Sequence, residues 1–277
     1  LDMEGGRVHD EIRRSLKSLT GVDKDWKADT WRKWWKKAKR FAELEKKMRE
    51  ELGENDKTEP EKTPDRRYAT QKQPPTYYGI TVYARAVAYV LDTSLSMEQG
   101  FRASQAWQER LGHELKGTSR MEVCKEELIH SIKALDPRTR MNLVFFNERV
   151  RKWKDAPIAV AAVRESAIST IRNVRPTGQT NYHGALEAIL QIGDGRNGWE
   201  SGFADTPDTL CFLTDGRPTD GEITKADELL AWWNERNRFA RIRVHVIAMG
   251  TTGVDVDFLR RFATDNDGTF VHMTGQH

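Results

Sequence analysis

Cysteine is scarce: Cys124 and Cys211 are the only two in 277 residues. One falls inside a helical pattern and the other inside an apolar strand pattern, so neither a disulfide framework nor zinc-ligand spacing is present. Both read as small buried apolar residues. Long apolar runs are missing too: none approaches the roughly 20 residues that a membrane-spanning helix needs. The first residues carry no signal-peptide pattern, and no compartment follows from the sequence. Leu1 in place of an initiating Met gives the expectation of a piece of a longer multidomain protein. A surplus of one charge is also lacking, since 45 basic residues face 42 acidic ones for a net charge of +3. No long-range field therefore points to nucleic acid. There is no Gly-x-x-x-x-Gly-Lys phosphate loop and no nucleophile elbow.

What is present is 38% hydrophobic and 31% charged residues, enough for one full-sized core and a smaller appendage. Three textures follow one another. Residues 1–53 read as a helical segment: Val8, Ile12, Leu16 and Leu19 fall at helical spacing and Gly21 is placed to stop that helix. A second helix, which Asp29 or Thr30 can cap, carries Trp31, Trp34, Trp35, Ala38, Phe41 and Leu44 along one face. Its opposite face is basic, but Glu43, Glu45, Glu50 and Glu51 offset that charge, so it reads as a solvated face and not as a nucleic-acid edge. Residues 54–75 turn to Lys, Glu, Thr, Gln and Pro and read as a linker.

Residues 76–277 change character again, to apolar strands alternating with amphipathic helices. Strands are expected at 84–91, 140–146, 209–213, 242–249 and 269–273, with 149–153 as a short edge hairpin partner. Helices are expected at 121–135, 159–173, 182–192, 226–240 and 256–263. Such alternation, with nearly continuous apolar strands, implies an α/β fold whose mostly parallel sheet is covered on both faces.

In a doubly wound sheet, ligands sit beyond the carboxyl ends of the strands where the winding reverses. Three segments bring oxygen donors to that edge. Asp92-Thr93-Ser94-Leu95-Ser96 follows the first long strand, and alternate residues there can aim Asp92, Ser94 and Ser96 at one point. Thr180 lies in a glycine-containing loop before a helix, and Asp215 ends another apolar strand, with Gly216 allowing a sharp turn. Two carboxylates and three hydroxyls are hard donors, suited to Mg²⁺ first, then Mn²⁺ or Ca²⁺, and ill suited to zinc or copper. Two negative charges only neutralise a divalent ion, and an octahedral ion keeps water where the protein supplies no ligand, so one such water can be displaced by a carboxylate from another molecule.

These residues resemble the metal-ion-dependent adhesion site of the von Willebrand factor A superfamily, with Asp92-x-Ser94-x-Ser96, Thr180 and Asp215 matching all five positions. The resemblance runs from about Tyr78 to the C-terminus and includes the segments 180–186 and 212–216. It implies a Rossmann-like central sheet with one antiparallel edge strand, and metal-dependent binding of a partner protein through an Asp or Glu of that partner. Leu95 stands where Gly is frequent, and residues 97–120 form an insertion with Phe101 and Trp107 that is expected beside the metal. At the other end, Val22–Trp26 and Trp31–Trp35 resemble the tail of HEAT-like helical repeats that precede such domains in some bacterial multidomain proteins.

Two rival classes remain. A metal-dependent hydrolase would need a base, nucleophile or second metal, for which His183 is the one tempting candidate; His113, His245 and His272 show no companion ligands at metal spacing. A scaffold subunit of a larger assembly, such as one containing an ATPase, would use the metal only structurally. The binding-module reading, without catalysis, is preferred.

Overall fold

The computed structural model describes residues 75–192 and 206–275, together with 29, 30, 32–34 and 36. The chain divides into two units, residues 1–70 and 71–277. In the first, the described residues are helical, and Arg32 donates to Asp29 at 3.3 Å. Asp29 and Thr30 are already inside the helix, so neither is its cap. The helix stop at Gly21, the full tryptophan stripe and the linker lie outside the described residues.

The second unit holds nine strands and six helices among the described residues. A small antiparallel pair, β1 (Thr76–Tyr77) and β2 (Ile80–Thr81), comes first. The long strands follow as β3 (Ala86–Asp92), β4 (Arg140–Phe146), β7 (Thr209–Thr214), β8 (Arg243–Met249) and β9 (Phe270–Met273). Short strands β5 (Val150–Lys152) and β6 (Ile158–Ala159) both pair antiparallel with β4. The order is β5-β4-β3-β7-β8-β9, with all contacts among the long strands parallel. The expected antiparallel edge is thus present, but split into two short pieces.

Period-two alternation along the strands produces two cores. Val87, Tyr89 and Leu91 of β3 face one way with Met141, Leu143 and Phe145 of β4; Ala88 and Val90 face the other way with Val144 and Phe146. The first face is covered by α2 (Arg120–Ala134) and α3 (Val160–Asn173), through residues such as Leu128, Ile132, Ile168 and Ile171. The second is covered by α4 (Tyr182–Leu190), α5 (Ala226–Ala240) and α6 (Val256–Thr264), through Leu186, Ile189, Trp233, Leu259 and Phe262. Each such aliphatic or aromatic side chain contributes about 1.5–3 kcal/mol when fully buried. Cys124 and Cys211 are buried free thiols within the first core. Among the described residues no helix is long and apolar enough to cross a membrane.

The insertion folds onto the first core. Its helix α1 (Gln105–Leu111) is capped by Ser104, whose side chain accepts from the Trp107 amide at 3.3 Å and which starts the helix in an extended conformation. Met97 and Phe101 are buried, and Trp107 packs on the same cluster. The return from α1 to α2 is tied down by carboxylates of α2: Glu126 accepts from the amides of Lys116 and Gly117, and Glu122 from the amide and hydroxyl of Thr118.

β8 and the loop before β9 meet through His245, whose Nδ1 accepts the Thr269 amide at 3.1 Å. Burial first, and the Arg243 cation second, push the imidazole down to about 4. A base held neutral in the fold stabilises it fully above the unfolded value near 6.5, and that stability is lost as the pH falls from there toward about 4. Wild-type protein should lose about 1 kcal/mol more than His245→Asn between pH 7 and pH 5 in urea unfolding, a size discounted for partial solvent access; equal losses would remove His245 from the account.

Candidate functional site

The winding reverses at β3. The chain leaves β3 for β4 on one side, and the later strands β7, β8 and β9 build on the other. The crevice between the ends of β3 and β7 is therefore the place where side chains from distant segments can meet around a ligand. Asp92 is the last residue of β3 and Asp215 follows the last residue of β7. Both carboxylates are buried, as are Ser94 and Thr180.

Four of the five expected donors form one connected array. Ser94 donates its amide to Asp92 Oδ1 at 2.8 Å, Ser94 Oγ and Ser96 Oγ lie 3.1 Å apart, and Ser96 Oγ donates to Asp215 Oδ1 at 2.7 Å. Local geometry explains the convergence: after the extended Ser94 the chain enters a 3-10 turn over Leu95–Glu98, which swings Ser96 back toward β7. Leu95 points away, 58% exposed, so it does not crowd the array from within.

Thr180 belongs to a loop clamped between the two strand exits. The Thr177 amide donates to the Thr93 carbonyl and the Leu95 amide to the Gly178 carbonyl. The Thr180 amide donates to Thr219 Oγ1 at 3.1 Å, and its carbonyl accepts the amides of Thr219 and Asp220. Gly178 has φ +74°, and a Cβ there would collide with the Glu148 carboxylate, which accepts the Gln179 amide at 3.0 Å. The Thr180 hydroxyl makes no hydrogen bond among the described residues. Asn181 then caps α4, accepting the Gly184 amide at 2.7 Å.

Electrostatically the site is under tension. Burial first, and the neighbouring Asp215 carboxylate second, push the Asp92 carboxyl up to about 7, while hydrogen bonds from Ser94 and Thr214 pull the other way. Two like charges in a dry crevice require a counter-charge. One is supplied internally, and the sequence reading missed it: Arg120 donates to Asp215 Oδ2 at 2.6 Å from a buried position. Arg120 is the first residue of α2, where a cation opposes the helix dipole, and that misplacement is the signal that could have exposed it. Gly250, at φ +86°, leaves room for the guanidinium, which a Cβ would meet at 2.5 Å. Two more supporting groups were also missed. Thr214 donates to Asp92 Oδ2 at 2.6 Å, and the Tyr182 hydroxyl lies 2.8 Å from Thr214 Oγ1 while donating to the Gly216 carbonyl at 2.9 Å.

The donor set fits a hard divalent cation. Neighbouring ligands of an octahedral ion with metal–oxygen bonds near 2.0–2.1 Å stand about 3 Å apart. The Ser94–Ser96 and Ser96–Asp215 separations of 3.1 and 2.7 Å are of that size. Among the described residues no group of three or more His, Cys, Asp or Glu side chains is gathered to hold a metal, so hydroxyls must complete any shell here.

The histidines lie elsewhere. His183 packs edge-on against Trp232, ring centroids 4.5 Å apart, and lines a groove of about 780 Å³ between α4 and α5, not the carboxylate crevice. His113 has companions that its spacing hid: Nε2 lies 2.7 Å from the buried Glu127, and the ring stacks on His130 at 3.7 Å. The fold brings these together across the insertion.

The family model of the von Willebrand factor type A domain matches residues 86–275. The chain belongs to this family. VWA domains bind divalent cations and mediate protein–protein interactions. Inter-alpha-trypsin inhibitor heavy chain H1 of Mesocricetus auratus is 27% identical over 191 residues, which cover 68% of this chain and 18% of that protein. Its counterpart in Sus scrofa is 28% identical over 199 residues, covering 72% and 20%. The chain thus spans about a fifth of the length of these curated relatives. Among solved structures, a von Willebrand factor type A protein from Catenulispora acidiphila superposes with a TM-score of 0.51 at 17% identity, over 68% of this chain and 38% of that one, a likeness of fold.

Removing one partner of a buried ion pair leaves the other uncompensated. Arg120→Met should cost about 3–5 kcal/mol in urea unfolding with a chelator present, whereas Arg261→Met, which breaks an exposed pair with Asp227, should cost under about 1 kcal/mol. Equal small losses would show that Arg120 does not neutralise Asp215.

Proposed function

We propose that Asp92, Ser94, Ser96, Thr180 and Asp215 hold a divalent cation, Mg²⁺ in the first place with Mn²⁺ and Ca²⁺ as substitutes, and that a partner protein is bound through it. When bound, the ion supplies a coordination position for an Asp or Glu carboxylate of that partner. The observation that carries this reading is the meeting of two buried carboxylates with serine hydroxyls at ligand–ligand spacing.

Charge supports the second half of the proposal. The two aspartates, Arg120 and a divalent ion together leave one net positive charge in a poorly solvated crevice, which favours an incoming carboxylate over water. The chain's own residues prepare the site. Thr214, steadied by Tyr182, fixes one oxygen of Asp92 and the Ser94 amide fixes the other, so little reorganisation accompanies binding. The accessible Leu95 side chain offers an apolar contact to whatever docks beside the ion.

We read the domain as a binding module and not as an enzyme; in support, His183, the histidine singled out as a catalytic candidate, lines the groove between α4 and α5 and not the carboxylate array. We read residues 76–277 as this module, joined through a linker at 54–75 to a helical segment at 1–53, as part of a longer multidomain protein.

Melting temperature measured against Mg²⁺, Mn²⁺, Ca²⁺ and Zn²⁺ tests the reading. A cation at about 100 times its dissociation constant adds roughly 2.7 kcal/mol, and Asp92→Ala should abolish the rise. Unchanged melting in millimolar Mg²⁺ and Mn²⁺, together with partner capture from lysate that survives chelation, would refute it.

A further inference from the structure

At the same β3 exit loop that carries Asp92, Ser94 and Ser96, the structure contains a second concavity of about 420 Å³. Thr93, the residue between Asp92 and Ser94, forms its inner wall, and Arg149, Arg151 and Arg175 line it together with Asn147 and Asn173. We propose that this pocket binds a second carboxylate of the same partner whose first carboxylate sits on the cation, so that the domain recognises a pair of acidic residues in one extended segment. This rests on the metal-dependent reading above.

Several observations carry it. The three guanidinium groups come from the β4–β5 hairpin and from the loop after α3, so a single helix face does not account for their gathering. None of them forms an ion pair among the described residues. Arg151 is braced by the Phe145 ring, 4.9 Å from its centroid, which orders its guanidinium. The nearest acid in sequence, Glu148, is turned away to accept the Gln179 amide. The carboxyl end of α3 would ordinarily repel an anion, but Lys125 Nζ donates to the carbonyls of Arg172 and Val174 at 3.1 and 2.6 Å and offsets that end. The pocket is thus a cluster of cations with no internal counter-charge, and Arg–carboxylate pairs are the matching chemistry.

Connection to the metal loop selects the occupant. The Thr93 amide and hydroxyl both donate to the Phe146 carbonyl, and its own carbonyl accepts the Thr177 amide, so the wall between the two sites is rigid. Side chains two apart in an extended peptide project to the same side about 7 Å from each other, a reach suited to two adjoining sites. The partner segment is therefore acidic at two nearby positions.

Fluorescein-labelled peptides bearing two Glu residues separated by one to four glycines, and a control with a single Glu, can be titrated into the full chain in Mg²⁺ and followed by anisotropy. The best-spaced pair should bind at least about tenfold tighter than the single Glu. The Arg149→Gln/Arg175→Gln double variant, which keeps the Arg151–Phe145 contact, should erase that advantage while leaving the Mg²⁺ melting shift intact. No advantage for paired acids, or an advantage that survives in the variant, overturns the proposal. Arginine-dependent binding of paired acids that persists in chelator supports the pocket and refutes the ion reading. Competition by inorganic phosphate, with no preference for paired acids, assigns the pocket to a free anion and overturns it.

Discussion

Two carboxylates held out of water at one end of a crevice are the constraint on which the rest of this domain depends. Asp92 and Asp215 end neighbouring parallel strands, and burial with mutual repulsion drives Asp92 toward protonation. Such an arrangement persists only if surrounding groups compensate it. Here they do so in layers: hydroxyls and amides hold the individual oxygens, and Arg120 neutralises one side of Asp215.

Much of the remaining architecture can be understood as support for that compensation. The insertion has a structural role: its return segment is nailed to α2 by Glu122 and Glu126, and this sets Arg120 at the head of α2, across the crevice from β7. The Thr180 loop is held between the β3 exit and the Thr219–Asp220 turn by backbone hydrogen bonds, which makes it part of the site's frame. Arg120 and the Arg149, Arg151 and Arg175 cluster concentrate basic residues around the β3 exit loop despite a nearly balanced total charge, and the proposed recognition of acidic partners rests on that concentration.

The relation of sequence to structure differs by level. The long parallel strands and the helices lie within a few residues of where apolar periodicity places them, and strand β4 and helix α5 coincide with the expected bounds. What periodicity did not reveal is short or irregular: the β1–β2 pair, helix α1 and the edge piece β6 have too few residues to establish a period. At the site, Asp92, Ser94, Ser96, Thr180 and Asp215 were legible because each sits at a strand exit or helix start with a recognisable local pattern. Arg120, Thr214 and Tyr182 were not, since their roles consist of contacts with residues 95, 122 and 32 positions away.

By itself the amino-acid order determined the fold class, the family and the identity of the candidate donors, because hydrophobic period and short motifs are properties of neighbours in the chain. Tertiary structure alone decided the site's charge balance, the separation of His183 from the carboxylates, the meeting of His113 with Glu127 and His130, and the gathering of three arginines behind Thr93. Coulomb energy and desolvation depend on distance through space and on burial, and neither is recorded in the spacing of residues along a chain.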